Sequence, residues 1–186
     1  YTLGRRVFAT PSPKDPPTLQ TPDTLQLTSD LISRASVTPA DHGCQQLMMA
    51  RLAAVGFRNE LLNFGSVENF WATHGTGSPV LCFAGHTDVV PTGPLEEWRS
   101  DPFKPTVVDG RLYGRGAADM KSGLAAMVTA VEAFVREHPK FKGSISFLIT
   151  GDEEGPAINC TNKVLQWMKD NGHTPNHCLV GEQSCV

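Results

Sequence analysis

No stretch of this sequence approaches the roughly 18 consecutive apolar residues that a membrane span requires, so no transmembrane helix is expected. Charge of one sign is also scarce, since 16 Lys and Arg against 19 Asp and Glu give a net charge of −3 with no basic cluster. Nucleic acid is thereby excluded as the main partner, because phosphate binding needs gathered cations. The cysteines Cys44, Cys82, Cys160, Cys178 and Cys185 are odd in number and form no C-x-x-C pair. That excludes a disulfide framework and predicts reduced thiols, most of them small core residues, in a cytoplasmic protein. No internal repeat is present, which excludes a solenoid.

What remains is a chain of ordinary composition, 40% hydrophobic and 19% charged, long enough at 186 residues for one domain with its own core. Residues 1–23 carry Pro11, Pro13, Pro16, Pro17 and Pro22 without an apolar period and read as a flexible, Pro-rich leader. Residues 24–186 read as the folded part. A helix is expected around Leu25–Ile32. A second follows from Cys44, Leu47, Met48, Leu52 and Val55, with Asp41 as its cap and Gly56 as its stop. Glu60–Phe64, Val67–Thr73 and the run from Val80 read as strands. Asp109-Gly110 supplies a type I′ turn between Thr106–Val108 and Arg111–Tyr113. Leu124, Met127, Val128, Val131, Phe134 and Val135 mark one face of a long helix that must end before Pro139. A strand over Ile145–Thr150, a helix near Asn162–Asn171 and a strand at Cys178–Val180 complete the series. Strands alternating with helices predict an α/β domain whose mixed, largely parallel sheet is flanked by helices.

Three apolar runs end in potential metal ligands. Val80–Ala84 leads into Gly85-His86-Thr87-Asp88, Ile145–Thr150 into Gly151-Asp152-Glu153-Glu154-Gly155, and Cys178–Val180 into Gly181-Glu182. The carboxyl ends of parallel strands are where open α/β sheets assemble their sites. His86 is the obvious nitrogen ligand. Asp88, two residues on along an extended segment, shares its side and is placed to orient His86 through the other ring nitrogen. Asp119 precedes the long helix within Gly114-Arg115-Gly116-Ala117-Ala118-Asp119-Met120-Lys121. Alone it would be an N-cap, but a carboxylate there can also bridge two metals about 3.5 to 4 Å apart. The same run lacks the third glycine of a dinucleotide fingerprint, so no nucleotide is expected. Glu153 and Glu154 are neighbours on a sharp loop and can address different targets, one a metal and the other protons. His42, His74, His138, His173 and His177 fall at turns or element ends and read as structural or solvent-facing.

Those four motifs, in this order, resemble the M20 family of dinuclear zinc amidohydrolases and peptidases across residues 24–186. The resemblance implies a three-layer zinc-peptidase-like domain and two zinc ions for which Co2+ can substitute. It implies that His86 and Glu182 each bind one metal, that Glu154 is a further ligand, and that Asp119 bridges the pair beside a cis Asp119–Met120 peptide. Asp88 would orient His86, and Glu153 would be the general base and acid. The implied substrate is a small N-acyl amino acid whose linear amide is hydrolysed. Trp98-Arg99-Ser100-Asp101-Pro102-Phe103, Ala117-Ala118 and Gly155-Pro156-Ala157-Ile158-Asn159 favour a branch of the family specific for one acyl group, while a succinyl and an acetyl group both remain open. Two positions depart from the family pattern: Gln183 stands where proline is usual after the glutamate, and Cys160 where glycine is usual. The family's last metal-binding histidine and its lid or dimerisation domain, through which a homodimer forms, have no counterpart in these residues. The sequence therefore reads as the truncated N-terminal part of a catalytic domain, with an inactive metal-binding fragment as the other possibility.

Overall fold

In the computed structural model of the chain, residues 21–183 are described. Residues 1–20 of the expected leader, and Cys185, lie outside the described residues, whereas Thr21–Asp23 already belong to the first helix. The helices are α1 (Thr21–Ile32), α2 (Cys44–Ala54), α3 (Ser122–Glu137) and α4 (Thr161–Asp170). The strands are β1 (Arg58–Phe64), β2 (Val67–Thr76), β3 (Val80–His86), β4 (Thr106–Val108), β5 (Arg111–Tyr113), β6 (Gly143–Thr150) and β7 (His177–Val180).

Five strands form one sheet in the order β1-β2-β6-β3-β7. β1 and β2 make a hairpin closed at Phe64↔Val67, where Gly65 takes a φ of 62°, open to glycine without strain. β2 is antiparallel to β6 as well, while β6–β3 and β3–β7 are parallel. The sheet is therefore mixed, and its parallel half is the half that ends in the candidate ligands. β4 and β5 stand apart as the expected two-residue hairpin, with φ of 50° at Asp109 and 73° at Gly110.

From β3 the chain crosses through α3 to β6 on one side, then through α4 to β7 on the other. The two crossovers lie on opposite faces of the sheet, so β3 is the strand at which the winding reverses. The alternation along β6 shows the layering. Ile145, Phe147 and Ile149 point into a core with Leu27 and Leu31 of α1, Met48 and Leu52 of α2, and Leu124 and Val128 of α3. Leu148 points the other way, to Trp71, Leu62, Cys82, and Val164 and Met168 of α4. The result is the expected three-layer arrangement, and each large side chain fully buried in it contributes about 1.5 to 3 kcal/mol.

Two buried polar groups attach the helices to the site. The Asp41 carboxylate accepts from the Gln45 backbone N–H at 3.0 Å, so it serves the first turn of α2 although Gly43, with φ of 84°, takes the N-cap position expected of Asp41, and it also accepts from the Thr87 hydroxyl at 2.7 Å. Burial raises its pKa, partly offset by those hydrogen bonds. Lys121 is wholly buried, and its Nζ donates to the carbonyls of Leu31 and Arg34 at 2.8 and 2.9 Å. It adds a charged donor to carbonyls at the C-terminal end of α1 that already accept the backbone N–H groups of Arg34 and Ser36, and it fixes the start of α3 against them. Among the described residues no helix is long and apolar enough to cross a membrane.

Candidate metal centre

His86 closes β3 and is 2% exposed. Its Nδ1 donates to the backbone carbonyl of Asp88 at 2.9 Å, with the Asp88 carboxylate 3.5 Å away. This differs from the sequence expectation in one respect: the main chain of Asp88, more than its side chain, fixes the ring. The arrangement leaves Nε2 facing outward, 3.1 Å from Asp119 Oδ1, 3.1 Å from Glu182 Oε1 and 3.8 Å from Glu153 Oε2.

The fully buried Asp88 carboxylate turns to the acidic loop, where Oδ1 accepts from Glu153 N at 3.2 Å and Oδ2 from Glu154 N at 3.0 Å. One residue therefore positions both the imidazole and the two glutamates. Burial opposes the Asp88 charge, but His86 and the two backbone donors outweigh it and lower the pKa.

Asp119 sits in the wide turn Ala117–Lys121 with extended φ and ψ of −115° and 103°, and its peptide bond to Met120 is cis. The buried Met120 packs over Gly85 so closely that a Cβ there would come within 2.7 Å of Met120 Sδ. The same sulfur accepts from the His86 backbone N–H at 3.2 Å, which ties the end of β3 to the Asp119 turn. Glu182 follows β7, and the preceding Gly181 lies against the first turn of α3 at Gly123.

His86 Nε2, Asp119 and Glu182 each offer one atom to a group whose members all lie within 4.8 Å of one another. One imidazole nitrogen whose partner nitrogen is already bonded, facing two carboxylates, is a donor set that suits zinc. The electrostatics fit as well. Burial raises the pKa of Glu182 and Glu154, and the negative charge of Asp119 and Glu153 raises both further, a repulsion that a divalent cation would remove. In the metal-free chain burial disfavours charge on His86, yet Asp88 and Glu182 overcome it and push the pKa up to about 9.

Of the residues singled out in the sequence, His86, Asp119 and Glu182 come together, Glu153 stands beside them and Asp88 lies behind them. Glu154 supplies no atom to the three-residue group. Gln183, notable in the sequence only as a departure, donates from Nε2 to Asp119 Oδ2 at 2.8 Å. The supporting roles of Asp41, Met120 and Lys121 carried no signal in the sequence beyond the capping position of the first. Among the described residues no other histidine joins the group: His173 packs between Trp71 and Trp167, and His74 between Phe57 and Phe141.

The profile of peptidase family M20/M25/M40 matches residues 82–185. The chain is 57% identical over 163 residues to a succinyl-diaminopimelate desuccinylase of Nitrosomonas eutropha, covering 88% of this chain and 43% of that protein. It is 59% identical over 162 residues to the enzyme of the same name from Acinetobacter baumannii, covering 87% of this chain and 43% of that one. The chain thus spans less than half the length of these curated relatives. Among solved structures it resembles human carnosine dipeptidase 1, with a TM-score of 0.76 at 26% identity over 89% of this chain and 39% of that one. It shares its fold with an M20 family metallo-carboxypeptidase from Sulfolobus solfataricus, with a TM-score of 0.74 at 19% identity over 87% and 38% of the two chains.

Proposed function

The chain belongs to peptidase family M20/M25/M40, and from that premise we propose that it is the N-terminal part of a zinc-dependent amidohydrolase acting on N-succinyl-LL-2,6-diaminopimelate. The products would be succinate and LL-2,6-diaminopimelate, a step in lysine and diaminopimelate biosynthesis, in the cytoplasm. The observation that carries the proposal is the convergence of His86 and Glu182, at the ends of β3 and β7, with Asp119 from the turn before α3, and with Glu153 3.8 Å from the imidazole. The identity of 57% and 59% to two desuccinylases supports the choice of substrate.

In this reading His86 and Glu182 would each be a metal ligand, Asp119 would serve both zinc ions, and Glu154 would be a further ligand. Zinc, replaceable by cobalt(II), would supply Lewis acidity that polarises the acyl carbonyl and acidifies water. Glu153, half-exposed at the mouth of the group, takes a proton from the attacking water and returns it to the leaving amine. Asp88 acts through others, keeping His86 in the tautomer that presents Nε2 and holding the Glu153 amide in place. The homodimer, the last histidine ligand and the pocket for the acyl group would come from the portion that the relatives have beyond the matched region.

The coverage of 43% favours a second reading for the chain taken by itself: it binds metal without turnover. One experiment separates these readings. Zinc-dependent release of primary amine is followed from N-succinyl-LL-diaminopimelate and from N-acetylornithine, with this chain and with a protein extended to the relatives' length. Hydrolysis of the succinyl substrate by the extended protein supports the proposal. Preference for N-acetylornithine would reassign the acyl group, and hydrolysis of neither would remove the amidase reading.

A further inference from the structure

The register of β3 and β7 places two thiols side by side. Leu81 pairs with His177, Cys82 with Cys178, Phe83 with Leu179 and Ala84 with Val180. Directly paired residues of parallel strands share a face, and the strand spacing of about 4.8 Å falls inside the Cα separation of roughly 4.4 to 6.8 Å that a disulfide accepts. We propose that Cys82 and Cys178 are a disulfide-forming pair, oxidised by small-molecule disulfides, that staples the strand ending in His86 to the strand ending in Glu182.

The pair is divided between solvent and core. Cys178 is exposed and Cys82 is 1% exposed within the cluster under α4. Among the described residues β7 is four residues long, exposed throughout and bonded to β3 alone, so it can make the small shift that closes the bond. Burial, with the Cys178 thiol beside it, pushes the Cys82 thiol up to about 12. Cys44 and Cys160 are also buried but sit elsewhere, the first against the Leu31 carbonyl and the second at the start of α4.

The chemistry follows from that division. The Cys178 thiolate attacks one sulfur of oxidised glutathione, forming a mixed disulfide and expelling one glutathione thiolate. Cys82 then loses its proton to solvent and attacks the Cys178 sulfur, expelling the second glutathione. Two protein thiols are oxidised, one disulfide is reduced, and the two protons end on the two glutathione molecules. Because the thiolate is the nucleophile, the second step is slow near neutrality and quickens about tenfold per pH unit. Cys82 stands four residues before His86 and Cys178 four before Glu182, so a bond in this register leaves the two ligands aligned.

The test uses the chain with Cys185→Ser, which removes a thiol outside the described residues that would compete. The protein is treated with oxidised glutathione between pH 7.5 and 9, digested without reduction and analysed by mass spectrometry. The expected course is a glutathione adduct on Cys178 that converts to a Cys82–Cys178 cross-link, with the conversion accelerating about tenfold per pH unit. Cys82→Ser should stop at the adduct. Amide exchange across His177–Val180 should slow at least about tenfold in the oxidised chain, because the edge strand can no longer open alone. A persistent Cys178 adduct in the chain that retains Cys82, or a link from Cys178 to Cys44 or Cys160, would overturn the proposal. A cross-link without slower exchange would do the same, since it would mean the bond forms from an opened strand.

Discussion

Replacing Asp88 with asparagine separates two tasks that one residue performs. The variant keeps the backbone carbonyl that accepts from His86 Nδ1 at 2.9 Å, so the tautomer survives. It removes a charge 3.5 Å from that nitrogen and puts an amide NH2 where one oxygen received a backbone N–H of Glu153 or Glu154. A buried donor left facing another costs about 1 to 3 kcal/mol of stability. The larger signal lies in the pH dependence. In the metal-free chain the His86 pKa stands at about 9 against an ordinary 6.5, a preference for the imidazolium worth about 3 kcal/mol. A raised pKa means that this stability is fully present below about pH 6.5 and is lost as the pH rises through about 9. A metal must displace that proton, so zinc affinity should climb about tenfold per pH unit between 6.5 and 9. In Asp88→Asn burial prevails and the imidazole is neutral at pH 7.5, so the slope should fall towards zero. At pH 9 the variant should bind zinc about 10- to 100-fold more weakly, and near pH 6.5 the two proteins should converge. Competition against a chromophoric chelator gives the affinities, and ring-nitrogen NMR of the stripped protein gives the His86 titration directly. A variant that keeps the tenfold-per-pH slope, or whose His86 still titrates near 9, would refute the assignment of that charge to Asp88.

Three further outcomes follow from the same geometry. Glu153→Ala in the extended protein should lower kcat by about 10²- to 10⁴-fold while zinc stoichiometry is unchanged, and near-normal turnover would end its role as proton carrier. Lys121→Met should cost about 1 to 2 kcal/mol in urea denaturation, because the Leu31 and Arg34 carbonyls lose the charged donor that ties them to α3 and keep only local donors such as the backbone N–H groups of Arg34 and Ser36; a neutral effect would show that those donors suffice. Gly123→Ala should gain helix propensity of up to about 1 kcal/mol in α3 yet place a Cβ 2.6 Å from the Gly181 carbonyl oxygen. Zinc affinity should therefore fall at least about tenfold while the melting temperature changes little, and an unchanged affinity would mean that the Glu182 segment yields at no cost.

Much of the fold was legible because its signals were local. The apolar face of α3, and Asp109-Gly110 with its two positive φ angles, are decided by neighbouring residues. The antiparallel share of the sheet was not, since β2 meets β6 through pairs such as Phe70↔Ile149, and no periodicity reports a contact that distant in the chain. Helix α1 begins earlier than expected because Pro22 was read with the leader prolines, although a first helical turn tolerates proline. At the site, residue types at strand ends selected His86 and Glu182, and the motif leading into α3 selected Asp119. They could not show that Asp88 works through its carbonyl on one side and its carboxylate on the other, which depends on the turn that follows β3. Lys121 read as an unremarkable end to its motif, because its burial is set by the end of α1, some 90 residues earlier.

The distribution of mobility within the centre follows from these contacts. Around His86 every position is held by buried partners: its own N–H by Met120 Sδ, the Thr87 hydroxyl by Asp41, the Thr87 carbonyl by the Ser36 hydroxyl at 2.7 Å, and the Asp88 carboxylate by two backbone amides. The carboxylates around it are freer, with side chains 42% exposed at Asp119, 51% at Glu153 and 37% at Glu182. The nitrogen is thus a fixed reference and the acids are the adjustable members. On the reading proposed above, a metal entering such a centre would need only side-chain rotations of the acids, and Glu154 would turn in from an amide already anchored on Asp88. That division explains how one rigid strand end can serve carboxylates delivered by three separate loops, and it places the cost of assembling the site in the fold rather than in the binding step.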